Sequence, residues 1–277
     1  MPELTNPRAE RVKAVRALSG RSVRARTGRF LAEGPQAVRE AVRERDLRVR
    51  DLYVTAESEA RHPEIVETAR SRGVRVHRGT PEVLAAMSPD AQQVVAVVDI
   101  RPPDLAAVLS TAPRLVAILA HVRDPGNAGA VIRAADAAGA DAVLLTVESV
   151  DVHNPKVVRS TAGSLFHLPV VTGLSLPGAL DAVRSAGLAV LAADGTGEHD
   201  LDDLLDRAGT DGSGAPDGPD LSRPTAWVFG NEAWGLTAPH RSLADAVVRV
   251  PIRGRAESLN LATAATVCLY ASSRAQR

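Results

Sequence analysis

Three short segments of the chain carry side chains that can bind a ligand, and two of them also contain a turn-forming glycine. The first, D-P-G-N at residues 124–127, precedes a stretch of small residues that carries Arg133. The second is F-G-N-E at 229–232, and the third is S-L-N at 258–260. A guanidinium binds anions such as phosphate, glycine lets a ligand approach the backbone, and amide, carboxylate and hydroxyl groups orient their neighbours. These segments are therefore the candidates for a binding or catalytic site.

Each segment also has a purely structural interpretation. Asn127 is a natural N-cap for a helix that follows it, and Arg133 is then one more exposed arginine. The second segment can be a turn bounded by glycines. Ser258 can cap the last helix, which leaves Asn260 in the first helical turn, where asparagine is a weak helix former.

Several site chemistries are excluded because their motifs are missing. The segment after the first strand of the larger domain reads H-V-R-D-P-G-N-A-G and not G-x-G-x-x-G. Neither a P-loop nor a G-x-S-x-G elbow occurs in the sequence. None of the seven histidines lies three to five residues from another, and Cys268 is the single cysteine. We therefore expect no metal site.

Alternating strands and helices would place the three segments at one edge of a parallel sheet. The predicted strands of the larger domain are 115–120, 142–147, 169–171, 188–193, 226–229 and 247–250, with helices between them. Ligands of an open α/β sheet bind beyond the carboxyl ends of its strands. The loops that could form such a site are 121–129, 194–197, 230–235 and 251–260.

The fold class is α/β, with two domains. A small α/β domain over 1–103 ends at paired prolines, which cannot join the interior of a sheet. A linker over 104–113 leads to the larger domain, 114–277. A mobile acidic insert is expected at about 198–224, which is rich in Gly, Asp, Pro and Ser.

The composition is that of an ordinary globular protein: 277 residues, 45% apolar and 24% charged. No apolar run is long enough to cross a bilayer, and the first ten residues lack the apolar core of a signal peptide. A single cysteine cannot form an internal disulfide. We therefore expect a soluble cytoplasmic protein with no membrane contact.

The net charge of zero hides two segments of opposite sign. Residues 8–29 carry eight cations and one anion, while residues 194–220 carry nine anions and one cation. The basic stretch indicates an anionic partner such as RNA. Aromatic residues make up only 3% of the chain, which argues against an extended base-stacking surface. The candidate RNA-binding residues are Arg16, Arg21, Arg24, Arg26, Arg29 and Arg159.

Taken together, the segments resemble the three motifs of the SpoU (TrmH-type) RNA ribose 2′-O-methyltransferases of the SPOUT superfamily. The matching runs, in order, are D-P-G-N-A-G-A-V-I-R-A, F-G-N-E-A-W-G-L and V-P-I-R-G-R-A-E-S-L-N-L. The resemblance covers 114–277, and K-A-V-R-A-L with F-L-A-E-G-P-Q-A-V-R-E-A is similar to the L30e-like RNA-binding domain of many members. Two departures are Ala233, where glycine is commonest, and a more charged run at 255–257.

The resemblance implies a trefoil-knotted, mostly parallel sheet that binds S-adenosylmethionine and whose active site is completed across a homodimer. The knot is an exception to the rule that chains do not thread through loops. Carried over by motif, the implied cofactor-binding residues are Gly230, Asn231, Val250, Ile252 and Leu259. The implied catalytic residues are Asn127, Arg133, Glu232, Ser258 and Asn260.

The implied reaction is transfer of a methyl group to a ribose 2′-hydroxyl of RNA. We favour 23S ribosomal RNA because of the L30e-like domain; the alternatives are a tRNA ribose methyltransferase and a non-catalytic RNA-binding relative. In the family, the arginine matching Arg133 is proposed to act on the hydroxyl. Because a guanidinium has a pKa above about 12, we favour a role in binding the adjacent phosphate and stabilising oxyanion charge.

Overall fold

The structure is a computed structural model in which residues 3–208 and 218–277 are described. Its helices are α1 (Glu10–Ala17), α2 (Arg21–Thr27), α3 (Pro35–Arg43), α4 (Ala56–Arg61), α5 (Pro63–Ser71), α6 (Pro81–Met87), α7 (Leu105–Leu109), α8 (Pro125–Ala138), α9 (Pro155–Ser160), α10 (Leu176–Ser185), α11 (Leu201–Arg207), α12 (Ala238–Arg241) and α13 (Leu261–Ala275). Its strands are β1 (Arg29–Glu33), β2 (Val49–Val54), β3 (Arg75–Arg78), β4 (Val94–Asp99), β5 (Leu115–Leu119), β6 (Ala142–Thr146), β7 (Val170–Leu174), β8 (Ala189–Ala193), β9 (His199–Asp200), β10 (Thr225–Phe229) and β11 (Ala246–Arg249).

These elements form two compact units, and no helix among the described residues combines the length and apolar character needed to span a membrane. The first unit comprises the described residues up to Arg101 together with Asp151–His167. The second comprises Pro102–Val150 together with the described part of Leu168–Arg277.

The first unit is built on a four-stranded sheet with the order β1-β4-β2-β3. β4 pairs antiparallel with β1 and β2, and β2 pairs parallel with β3. Both faces of the sheet are covered, because side chains alternate along β4: Val94 and Ala96 pack in one apolar cluster, Val95 and Val97 in another. The alternation explains why β4 is apolar from Val94 to Val98.

Residues 151–167 pack in the first unit although they come from the middle of the chain. Val158 of α9 and Phe166 lie in the same apolar cluster as Phe30 of β1, and the two phenyl rings are 6.3 Å apart. We had assigned this segment to the larger domain. The boundary between the two domains, predicted at residues 103 and 114, stays a prediction. The packing of residues 151–167 in the first unit differs from the predicted placement of this segment in the larger domain.

The second unit is built on a seven-stranded sheet with the order β7-β6-β5-β10-β8-β11-β9. All its neighbouring strands are parallel, which confirms the predicted α/β class; the trefoil knot stays a prediction. From β5 the chain runs outward through β6 to β7 and then returns to the other side of β5. The loops after β5 and β10 therefore adjoin at the place where the strand order reverses, and ligands of such sheets bind there.

Several elements differ from those predicted. α2 was not predicted, because R-S-V-R-A-R-T has no apolar period; its buried residue is Arg24. α4, α12 and β9 were also missed. Within the predicted acidic insert, residues 209–217 lie outside the described residues. The residues before them form β9 and α11, and Leu201 and Leu204 are buried, so this part of the insert is regular structure.

Candidate active site

The first loop of the site follows β5 and is fixed by the start of α8. Asp124 caps this helix, since its Oδ1 accepts a hydrogen bond from the backbone nitrogen of Asn127 at 2.7 Å. The prediction that Asn127 is the cap was wrong, because Pro125 already occupies the first helical position. The side chain of Asn127 is therefore not needed for capping.

Asn260 connects the third segment to the first. Its Oδ1 accepts from the backbone nitrogen of Ala262 at 2.8 Å and caps α13, while its Nδ2 donates to Oδ1 of Asn127 at 3.0 Å. The prediction that Ser258 caps this helix was wrong, because α13 begins at Leu261. The two ends of the Asn260 amide therefore have separate structural roles. The oxygen caps α13, and the nitrogen joins the third segment to the first.

Glu232 connects the second segment to the first. Its Oε1 accepts from the backbone nitrogen of Asp124 at 2.9 Å, and its Oε2 accepts from that of Arg123 at 3.3 Å. A carboxylate that accepts two backbone N–H groups fixes both the position and the direction of the loop. Glu232 therefore orients the loop that follows β5.

The turn after β10 is closed by Asn231. This side chain is 6% exposed; its Nδ2 donates to the carbonyl of His121 at 2.8 Å, and its Oδ1 accepts from the backbone nitrogen of Ala233 at 2.9 Å. A Cβ on Gly230 would lie 2.3 Å from the carbonyl carbon of Gly235. The close approach that requires glycine at this position is therefore made by the protein's own backbone.

A cavity of about 690 Å³ lies between the second and third segments and the loop after β8. All five residues predicted to bind a cofactor line it: Gly230, Asn231, Val250, Ile252 and Leu259. Glu232 and the exposed Ser258 also line it. Asn127, Arg133 and Asn260 do not, although Asn127 and Asn260 contact the loops that do.

The wall of the cavity carries more carboxylates than cations. The acidic residues are Asp194, Asp200, Glu232 and Glu257, and the basic one is Arg249. Asp200 lies 3.4 Å from Arg249, whereas Glu257 makes no ion pair or hydrogen bond within the described parts of the chain. Of these acids, the sequence predicted a role for Glu232 alone, although the loop at 194–197 was among the candidate loops. No group of three or more His, Cys, Asp or Glu among the described residues could hold a metal.

Arg133 lies on α8 and is exposed. Its guanidinium makes no hydrogen bond or ion pair with residues 3–208 or 218–277, so no contact joins it to the other candidate catalytic residues. An exposed arginine without a partner among the described residues remains available to bind an anion.

Arg24 is not placed to bind RNA. Its side chain is 3% exposed and its donors are used: Nη2 lies 2.6 Å from Oδ2 of Asp151, and Nη1 donates to the carbonyls of Leu18 and Ser19 at 2.9 and 2.6 Å. The prediction for Arg24 was wrong, because alternation of arginines along a sequence does not reveal which of them is buried.

The other arginines predicted to bind RNA differ in their availability. Arg16, Arg21 and Arg26 are exposed. Arg29 lies 3.8 Å from Asp99. Arg159 belongs to the first unit, where it forms ion pairs with Glu33, which is buried, and with Asp90 at 2.9 Å.

The surroundings of the Arg24–Asp151 pair shift two pKa values. Burial lowers the pKa of His153 to about 4. The charge of Asp151 acts to raise this pKa, and the charge of Arg24 acts to lower it. Burial also acts to raise the pKa of Asp151, but hydrogen bonds from Arg24 and from the backbone of His153 bring it below its ordinary value. His153 is therefore neutral at pH 7 while Asp151 is ionised.

Comparison with known proteins agrees with this geometry. Residues 114–270 match the SpoU rRNA Methylase family, and residues 9–96 match the MRM3-like substrate binding domain. The chain is 34% identical to the 23S rRNA (uridine(2479)-2′-O)-methyltransferase of Streptomyces viridochromogenes, over 93% of this chain and 86% of the relative. It is 33% identical to the 23S rRNA (guanosine(2553)-2′-O)-methyltransferase RlmP of Bacillus subtilis, over 98% of each.

Solved methyltransferase structures are also similar to this chain over nearly its whole length. An AdoMet-bound rRNA methyltransferase from Sinorhizobium meliloti superposes with a TM-score of 0.82 at 29% identity, over 99% of this chain and 97% of the other. The SpoU methyltransferase AviRb from Streptomyces viridochromogenes, in complex with AdoMet, superposes with a TM-score of 0.80 at 33% identity, over 96% and 98%. With its three loops joined by hydrogen bonds, two of them lining one cavity, and its family match over residues 114–270, the chain belongs to the SpoU rRNA methylase family.

Proposed function

We propose that the protein is an S-adenosylmethionine-dependent methyltransferase that acts on a ribose 2′-hydroxyl of 23S ribosomal RNA. The observation that carries this proposal is the joining of three separate loops by the side chains of Asn231, Glu232 and Asn260, with two of these loops lining one cavity. Both relatives named above match nearly the whole chain and are 23S rRNA 2′-O-methyltransferases.

The cavity suits a cationic, nucleoside-sized cofactor. Its volume of about 690 Å³ lies in the usual range for small-molecule sites, about 300–1,000 Å³. Val250, Ile252 and Leu259 give it apolar walls against which a nucleobase can pack. The excess of carboxylates favours a ligand with positive charge; one of them, Glu257, has no ion-pair partner in the described part of the chain.

The residues of the chain have separate tasks in this reaction. When bound, S-adenosylmethionine supplies a methyl group that the positive charge on its sulfur activates. Arg133, whose guanidinium has no partner among the described residues, binds the phosphate next to the target ribose and stabilises negative charge on the 2′-oxygen. The hydroxyl proton passes to that phosphate or to water.

The remaining candidate catalytic residues position these groups. Asn127, Glu232 and Asn260 hold the loops at fixed distances through the hydrogen bonds described above, so that little reorganisation is needed during the reaction. Ser258 is exposed on the wall of the cavity and is free to bind a ligand.

The RNA substrate is proposed to be 23S rRNA and not tRNA. The match of residues 9–96 to a substrate-binding domain, together with the two relatives, supports this choice. The relatives modify uridine and guanosine respectively, so the base at the target position is left open. Such a substrate agrees with the cytoplasmic location predicted from the sequence.

The protein is also proposed to act as a homodimer in which the partner completes the active site. α13 exposes Val267 and Tyr270, which are 40% and 46% accessible. Exposed apolar side chains on one helix are typical of an interface. Light scattering should give twice the chain mass, and Val267→Glu should shift the protein toward monomer; a wild-type monomer would contradict the dimer.

The function is tested by methyl transfer from labelled S-adenosylmethionine to unmodified 23S rRNA, with tRNA as the competing substrate. We expect label in 23S rRNA alone. In single turnover, Arg133→Ala should slow transfer by about 100-fold or more, the size typical of a lost transition-state charge contact, and Arg133→Lys should be intermediate. Near-normal rates in both variants would remove Arg133 from the chemistry.

The same experiment separates the alternatives. Label in tRNA would favour a tRNA ribose methyltransferase. RNA binding without any binding of S-adenosylmethionine, measured by calorimetry, would favour a non-catalytic relative.

A further inference from the structure

We propose that Trp234, together with Arg123, forms a stacking platform for an unpaired RNA base next to the target nucleotide. This inference rests on the proposed function. An enzyme that methylates RNA needs an element that binds a base near the target ribose, and the platform supplies that element. The chain has seven Phe, Trp and Tyr residues. Five are buried, and the exposed ones are Trp234, 52% accessible, and Tyr270, 46% accessible.

Of the two exposed rings, Trp234 is the one that lies on a loop of the candidate site. Tyr270 is on α13, and its hydroxyl donates to the carbonyl of Ala137 on α8 at 3.2 Å. Trp234 follows Glu232 by two residues in the turn after β10. A large apolar ring that stays exposed beside a ligand site indicates a contact with a partner.

The turn that carries Trp234 is held rigidly. Asn231 and Gly235 exchange two backbone hydrogen bonds of 3.0 and 2.8 Å, and the side chain of Asn231 accepts from Ala233 at 2.9 Å. The backbone of Gly235 fills the space beside Gly230. The ring is thus held on a preorganised turn, which lowers the entropy lost when a base stacks on it.

Arg123 adds positive charge beside the ring. Its guanidinium carbon lies 5.5 Å from the centre of the Trp234 ring, within the range of a cation–π contact. Its Nη2 lies 3.4 Å from Oε2 of Glu148, and its side chain is 58% exposed. An aromatic ring for the base with an arginine for the phosphate is the usual combination at sites for single-stranded RNA.

The platform lies next to the cofactor cavity but outside it. Ala233 and Gly235 line the cavity, whereas Trp234 does not. The backbone of Arg123 is bound by Glu232, the residue that joins the first two loops. The position therefore suits a base adjacent to the reacting ribose and not the cofactor itself.

The test uses intrinsic fluorescence and kinetics of the full-length protein with unmodified 23S rRNA as the probe. The two tryptophans differ in exposure, since Trp227 is fully buried. RNA should quench the signal of Trp234 in the wild type, and the quenching should disappear in Trp234→Phe. Trp234→Ala should raise the KM for RNA by about ten-fold or more, with kcat and the KM for S-adenosylmethionine nearly unchanged.

Trp234→Phe is the matched variant, because it keeps an aromatic face; we expect its KM for RNA to stay within about three-fold of the wild type. An unchanged KM in Trp234→Ala, or equal defects in the two variants, would overturn the proposal. So would a blue shift of the emission with protein concentration in the absence of RNA, which would mean that a second copy covers the ring.

Failure of the proposed function is separable from failure of the platform. If the wild type transfers no methyl group to RNA, the quenching measurement still decides whether RNA stacks on Trp234. If methyl transfer occurs without quenching, the function stands and the platform is wrong.

Discussion

At the scale of single residues, hydrogen-bonding side chains do more to shape the site than charged pairs do. Asn260 caps α13 with one amide atom and binds Asn127 with the other. Glu232 uses both oxygens on backbone N–H groups. Each of these side chains constrains two segments that are distant in sequence, so the site depends on few residues.

Arg24 gives a prediction of stability. Its guanidinium is buried against Asp151 and two carbonyls, and removing one partner of a buried pair leaves an uncompensated charge. We expect Arg24→Met to lower the free energy of unfolding by about 3–5 kcal/mol, measured by urea denaturation. Arg21→Met, at an exposed position of the same helix, should change it by less than about 0.5 kcal/mol; equal effects would contradict the structural role of Arg24.

His153 gives a prediction of pH dependence. Burial lowers its pKa in the folded chain to about 4, against about 6.5 when unfolded. Between these values the unfolded chain binds a proton that the folded chain does not, so stability falls as the pH drops from 6.5 to 4. The loss should reach at most about 3 kcal/mol.

The measurement compares the wild type with His153→Gln, which stays neutral, by denaturation at several pH values. The variant should lose less stability than the wild type between pH 6.5 and 4. Parallel curves would show that His153 titrates normally in the folded protein.

At the scale of elements, the turn after β10 determines whether the cavity exists. Gly230 packs against the backbone of Gly235, and a Cβ there would lie 2.3 Å from a carbonyl carbon. We expect Gly230→Ala to weaken S-adenosylmethionine binding at least ten-fold, since the turn must shift by more than packing tolerates. Calorimetry measures the effect.

Gly254→Ala is the control for this change, because Gly254 lies in the loop at 251–260 and a Cβ there would meet no atom of the described residues within 4 Å. The affinity of the Gly254→Ala variant for S-adenosylmethionine should stay within about two-fold of the wild type, a change of less than about 0.5 kcal/mol in binding free energy. Similar losses of S-adenosylmethionine affinity in both variants would mean that replacing any glycine in these loops weakens binding. The packing of Gly230 would then not be the cause.

Elements with a clear apolar period were predictable, and those without one were not. The apolar run of β5 is buried along its whole length and was predicted from the sequence as the strand 115–120. α2 was missed because a helix that buries one arginine has no apolar face. The start of α13 was placed at Ser258 because serine and asparagine are nearly equal as caps, and only the hydrogen bond to Ala262 distinguishes them.

The site was predictable where motifs encode it and not where it depends on exposure. The motif resemblance brought together Gly230, Val250 and Leu259, which line one cavity. It gave no sign of the acidic wall at Asp194 or of the exposed ring of Trp234. Exposure and pairing depend on tertiary packing, which no local pattern specifies.

At the scale of the whole molecule, the basic stretch near the start of the chain is the proposed source of RNA affinity. Arg16, Arg21 and Arg26 are exposed on the first unit. Replacing all three with serine should weaken RNA binding and lower the slope of log affinity against log salt by about 2–3, since fewer counterions are released. Filter binding over a range of salt concentrations measures both.

A control with the same change in net charge replaces Arg61, Arg70 and Arg78 with serine. These arginines form ion pairs with Glu57 and Glu59 and should contribute little to phosphate binding. The salt slope should stay near the wild-type value. If both triple variants lose the same slope, net charge and not the basic stretch governs RNA affinity.

Ribose methylation of 23S rRNA can be measured most directly by alkaline hydrolysis of RNA labelled from S-adenosylmethionine. Alkali cleaves RNA only through a free 2′-hydroxyl, so a methylated ribose protects its own linkage. We predict that all label appears in one alkali-resistant dinucleotide and that Arg133→Ala slows its formation by about 100-fold or more. Label released in mononucleotides would place the methyl group on a base and contradict the account.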